Sequence, residues 1–190
     1  MFVSPGQTRV IAAARSLVRR RGYADVSLRQ IAAAAGYSPA GLYAHFPNHE
    51  GILDALADAV RSDLAAVLER AAVREDEPLE QLVAIGLAYI GFALEHPAEF
   101  ELLFRSSRSR KRSRTDPTLS SFDLLRRIAR RAALAATADA IDVACLGLWS
   151  AAHGLANLRI SHLAGVPGDW DAWSRQILRR QAEKILCPAS

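Results

Sequence analysis

The chain has 190 residues, a formal net charge of +4 and two cysteines, and its length suits one domain or two small ones. Hydrophobic residues make up 51% and charged residues 23%, which excludes wholesale disorder. Alanine dominates the apolar set and aromatics are only 7%, so an all-α fold is expected.

In chain order, a first helix is predicted from about Thr8 to Arg21, with Val10, Ile11, Ala14, Leu17 and Val18 on one stripe. Gly22 stops it. Ser27 caps a second, two-turn helix, and Gln30 completes a capping box. Leu28, Ile31, Ala32 and Ala35 form its inner face, and Gly36 ends it. Ser38 caps again, with Pro39 at the first helical position. This third helix is short, with Leu42 and Phe46 on one face and Pro47 as terminator. Asn48 caps a long fourth helix through Leu53, Leu56, Val60, Leu64 and Leu68. Further helices are predicted over 77–95, 97–104, 117–136, 139–164 and 170–186, making about nine in all. The 77–95 segment is apolar nearly all round and reads as central. Arg105 to Arg114 is a Ser-rich basic run that reads as a loop.

The apolar uncharged run Val143 to Leu158 has 16 residues, short of the roughly 20 needed to span a bilayer. No membrane partner is expected. The opening Met-Phe-Val-Ser-Pro-Gly is too short and polar for a signal peptide. Cys145 and Cys187 are too few for a disulfide scaffold, so the expected compartment is reducing and cytoplasmic.

The charge is uneven. Residues 1–50 hold six arginines against Asp25 and Glu50, which accounts for the whole net charge. The remaining residues balance 18 basic groups against 18 acidic ones. A basic end on a neutral body suggests a polyanion partner. Two short helices joined by a Gly turn form a helix–turn–helix, whose second helix enters the major groove of double-stranded DNA. The small residues Ser38, Pro39, Ala40 and Gly41 at its start permit close approach.

The run Ser27-Leu-Arg-Gln-Ile-Ala-Ala-Ala-Ala-Gly-Tyr-Ser-Pro-Ala-Gly-Leu-Tyr-Ala-His-Phe-Pro-Asn-His-Glu50 resembles the TetR family of transcriptional regulators. The likeness spans about residues 8–60. It implies a DNA-binding domain at 1–50, a connecting fourth helix from about 48, and a larger C-terminal helical bundle over 51–190 for ligand binding and dimerisation. It implies that Ser38, Ala40 and Gly41 face the groove. Arg29 and Gln30 would reach base or phosphate, and Tyr43 and His45 would bond phosphates. His49 stands where the family usually has Lys, which implies a weaker, pH-sensitive contact. Pro47 separates His45 from His49, so no metal pair is expected.

Two further runs, Glu95-His-Pro-Ala-Glu-Phe-Glu-Leu-Leu-Phe104 and Leu148-Trp-Ser-Ala-Ala-His-Gly-Leu155, resemble the C-terminal domain of one TetR branch, the second through its Trp-x3-His-Gly spacing. Trp149 and His153 lie four apart on one helix face. With Phe92, Phe100, Leu103, Phe104, Phe122 and Leu125 they are the candidate pocket for a small hydrophobic or amphipathic effector. The resemblance implies a homodimer through the last two helices, with Trp170, Trp173, Ile177 and Leu178 as contact candidates. It places the Arg105 to Arg114 run far from DNA.

No nucleophile elbow, His-Glu-x-x-His, phosphate loop or Cys-x-x-Cys is present, so no catalytic residue, metal or cofactor is expected. The expected function is a ligand-released repressor on a palindromic operator. The alternative is a small-molecule-binding or protein-interaction helical module without specific DNA readout.

Overall fold

Two Ser-x-x-Gln boxes set the first two helices of the computed structural model, which describes residues 4–105, 117–133 and 137–186. Helix α1 spans Pro5–Arg21. The Ser4 hydroxyl accepts from the Gln7 amide at 3.2 Å, and the Gln7 side chain accepts from the Ser4 amide at 3.0 Å. With Pro5 at the first helical position, the helix begins three residues before the predicted Thr8. Helix α2, Leu28–Ala35, repeats the device with Ser27 and Gln30. Gly36 ends it at φ +74°, a conformation that side-chain-bearing residues rarely adopt.

Helix α3 is only Pro39–Leu42, capped by the Ser38 hydroxyl on the Gly41 amide at 3.0 Å. It tightens into i→i−3 bonds, Tyr43 to Ala40 at 3.2 Å and His45 to Leu42 at 2.9 Å. Helix α4, His49–Val73, starts where Asn48 accepts from the Gly51 amide at 2.8 Å. Then follow α5 (Pro78–Glu95), α6 (Pro97–Arg105), α7 (Pro117–Ala132), α8 (Ala138–Ile160) and α9 (Trp170–Leu186). The chain is all-α as predicted, with nine helices and no strand among the described residues. Helix α8 stops four residues before the predicted Ala164. The Ser161 hydroxyl donates to the Asn157 carbonyl at 2.5 Å, and the Ser161 backbone leaves helical geometry. Most of the predicted Arg105 to Arg114 loop, and Cys187, lie outside the described residues.

The described residues form two compact units. One comprises 4–62 and 96–105, the other 63–95, 117–133 and 137–186. The chain crosses between them within α4 and at the α5–α6 junction. Helix α6, which the sequence division assigned to 51–190, packs on α1 in the first unit.

That unit's core is Val10, Ala14, Leu17, Val18, Ile31, Ala32, Leu42, Phe46, Leu53 and Leu56, with Leu28 half-buried at its margin. In the second unit α5 is central and packs on α7, α8 and α9. By length and composition α5 alone among the described helices could cross a membrane, but half of it is buried in the bundle.

A nine-residue helix such as α6 is marginal alone. Buried Phe100, Leu102 and Leu103 anchor it, and so does Glu99, which is completely buried. The Glu99 carboxylate accepts from Nε of Arg15 and pairs with Arg19 at 3.0 Å, both on α1. His96 Nδ1 lies 3.5 Å away. Glu99 is the buried member of this cluster, so removing an arginine leaves its carboxylate short of a partner. Arg15→Ala should therefore destabilise the protein by about 3 kcal/mol in chemical denaturation. A loss below about 1 kcal/mol would mean that this cluster does not anchor α6.

Candidate nucleic-acid interface

Leu42 and Phe46 are drawn into the first unit's core, which decides what α3 shows to solvent. Four residues apart, they fix the orientation of the segment. Ser38 and Ala40 are exposed, Gly41 is half-buried, and Tyr43 is 58% exposed. The exposed face is thus small side chains followed by a tyrosine, a profile that lets the backbone approach a groove closely.

The other predicted residues divide by what they already bind. Arg29 is exposed on the first turn of α2. The Gln30 side-chain oxygen accepts from the Ser27 amide at 2.7 Å and from the Ser27 hydroxyl at 2.9 Å. Only its NH2 end is left to reach outward. His45 is half-buried beside the first turn of α1, and its carbonyl accepts from Gln7 Nε2 at 3.2 Å. Its ring meets the Tyr37 ring edge-on, with centroids 5.0 Å apart. The Arg9 guanidinium lies 6.0 Å from the centroid of Tyr37, within cation–π reach. His49 opens α4, but its Nε2 is buried without a hydrogen-bond partner, so that nitrogen does not face solvent.

Gly6, Gln7, Arg9 and Tyr37 were not singled out from sequence. Tyr37 follows the turn glycine directly and was readable as part of the motif. The α1 residues become visible only when the helices pack.

The predicted pocket residues fall into both units. Phe100, Leu103 and Phe104 are in the first, where the Phe100 and Phe104 rings stand 5.1 Å apart. Phe92, Phe122, Leu125, Trp149 and His153 are in the second. There Trp149 packs against Tyr89 and Phe122, with centroids 5.5 and 6.2 Å away. Leu125 and Trp149 line a cavity of about 10 Å³, room for one water at most. A polar chain runs through this aromatic core. The Tyr89 hydroxyl is 3.0 Å from His153 Nδ1, and Asn157 Nδ2 is 2.8 Å from His153 Nε2. With Asn157 donating, Nδ1 carries the proton and donates to Tyr89. Burial holds the His153 pKa below its ordinary value and pushes that of Tyr89 up. A roomier cleft of about 500 Å³ lies elsewhere in this unit, lined by Leu87, Gly91, Arg159, Ser174 and Arg175 among others.

Two family models match this chain. Residues 10–56 match the family model for bacterial regulatory proteins of the tetR family. Residues 82–181 match that for the tetracyclin repressor-like C-terminal domain. Comparison with curated proteins gave no match. Among solved structures, a protein of unknown function from Rhodococcus sp. RHA1 is 25% identical with a TM-score of 0.74, covering 97% of this chain and 95% of its own. A TetR-like transcriptional regulator from the same organism is 22% identical with a TM-score of 0.66, covering 97% of each chain. RolR in complex with resorcinol is 17% identical with a TM-score of 0.66, covering 97% of this chain and 94% of its own.

The His153 chain predicts a pH dependence. Above the ordinary value of 6.5 the imidazole is neutral in both the folded and the unfolded protein. As pH falls, the unfolded chain takes the proton first, because burial holds the folded group lower. This contribution to stability is full above pH 6.5 and declines as pH falls from there through the folded value. His153→Gln should shrink the drop in melting temperature between about pH 7.5 and about pH 5. An unchanged drop would remove His153 as its source.

Proposed function

Because the chain belongs to the TetR family of transcriptional regulators, we propose that it is a ligand-released repressor that binds a palindromic operator as a dimer. The observation that carries the reading is the exposed face of Ser38, Ala40 and Tyr43 on a segment anchored by buried Leu42 and Phe46. Double-stranded DNA is the partner that fits this face and the basic N-terminal quarter. Its phosphates would take hydrogen bonds from Tyr43 and His45, and from Arg29, while Ser38, Ala40 and Gly41 lie toward base edges. The Gln30 side-chain NH2 and His49 would contribute at the margin.

An apolar face on the last two helices supports the dimer. Val143 and Leu146 on α8, and Trp173 and Ile177 on α9, are exposed although large and apolar. Trp170 is half-buried and stacks edge-on against Trp173 at 5.4 Å. Leu178, a predicted contact residue, is fully buried inside the second unit, because its register on α9 faces α5. A two-fold pairing through this face would match two half-sites about one helical turn apart.

The effector would open the aromatic core around Tyr89, Trp149 and His153, whose interior combines apolar walls with a polar chain. The resorcinol held by RolR supports a small effector for this fold. Binding would shift the population toward dimers whose recognition segments no longer match the operator. The place of action is then the cytoplasm, where the DNA is.

Two outcomes test this. Tyr43→Phe should weaken operator binding about fivefold in a gel shift, the worth of one net hydrogen bond. Affinity should also fall steeply with salt. Unchanged affinity or a flat salt response would contradict phosphate contact. Separately, Val143→Asp combined with Ile177→Asp should convert the dimer to a folded monomer in sedimentation. A persistent dimer would place the interface elsewhere.

A further inference from the structure

Gly6 is the second helical residue of α1. A methyl group added at its α-carbon would lie 2.4 Å from Cε1 of His45 and 2.9 Å from each ring nitrogen. No real contact of that kind is so short. The His45 imidazole therefore rests on bare backbone at the start of α1. Neighbouring contacts close the seat. Gln7 bonds the His45 carbonyl at 3.2 Å, and the Tyr37 ring stands edge-on to the imidazole at 5.0 Å.

The fold of α1 does not itself require a glycine here. The helix is capped by Ser4 and Gln7, its φ at this position is ordinary, and its first buried residue is Val10. Alanine is the better helix former. The three nearest atoms that a methyl group would meet all belong to the one imidazole, which is the far end of a side chain and can swing away. The cost of a side chain at this position falls on the placement of His45 rather than on the helix.

We infer that Gly6 is a positioning residue for DNA binding: its missing side chain seats the His45 imidazole against Tyr37 at the edge of the recognition segment. The inference rests on the reading of His45 as a phosphate contact. Gly6 acts only through His45, so its effect should vanish when His45 is gone.

The test is a double-mutant cycle of Gly6→Ala and His45→Ala. The probe is the palindromic duplex recovered when the protein selects from random DNA. Each single variant should weaken binding about fivefold, and the double variant should be no weaker than His45→Ala alone. The melting temperature of Gly6→Ala should equal or exceed that of the parent. In the DNA-free protein, Gly6→Ala should shift the NMR signals of the His45 ring. If His45→Ala leaves affinity unchanged, the phosphate-contact reading fails and this inference with it. If His45→Ala weakens binding but Gly6→Ala does not, the seat alone is wrong. Additive losses would show that Gly6 acts without His45. A Gly6→Ala protein that melts well below the parent would make the glycine a folding requirement. Either result overturns the inference.

Discussion

A helix of four residues has barely one turn of hydrogen bonds of its own, so α3 cannot hold its direction unaided. Its direction comes from its ends. At the front, Gly36 turns the chain in the left-handed conformation and Ser38 caps the first amides. At the back, Leu42 and Phe46 are pinned in the core of the first unit. With both ends fixed, Ser38, Ala40 and Tyr43 have no direction left but outward. This exposed face is thus a by-product of where two apolar side chains are buried. The Arg15–Glu99–Arg19 cluster extends the same economy to α6, since one fully buried carboxylate pairs with two arginines of α1.

The second unit solves a different problem. Helix α5 is apolar on most of its surface and is surrounded by α7, α8 and α9. A dry core of this kind tolerates polar groups only when they satisfy each other. Tyr89, His153 and Asn157 do so in a chain, and burial keeps the histidine neutral to lower pH than usual. A group that can displace one member of that chain would have hydrogen bonds waiting for it. The cavity beside Trp149 is only about 10 Å³, so such a guest must also move side chains. A guest biases a conformational equilibrium only as far as it binds one arrangement of the core better than another.

What the sequence made legible is local. Ser27 with Gln30, Gly36, and Ser38 with Pro39 are signals spanning a few residues, and each helix boundary they mark stands as read, although α3 ends at Leu42 rather than running on to Pro47. The missed start of α1 carries the same Ser-x-x-Gln signature and was readable too. Asn157, four residues after His153, was within reach of the same spacing rule. Contacts between distant segments were not legible. Glu99 meets Arg15 across 84 residues, and nothing near either residue announces the pair. On α5, apolar nearly all round, periodicity cannot say that Tyr89 faces His153. The buried Nε2 of His49 and the seat of His45 on Gly6 likewise exist only once α1, α3 and α4 have packed.

The central claim is that the face built on Leu42 and Phe46 reads DNA. Its most direct test is selection of bound duplexes from a random pool by the purified full chain. The account predicts enrichment of an inverted repeat whose half-site centres lie about 10 base pairs, or a multiple of that, apart. Recovery of no sequence above the starting pool at moderate salt would contradict it.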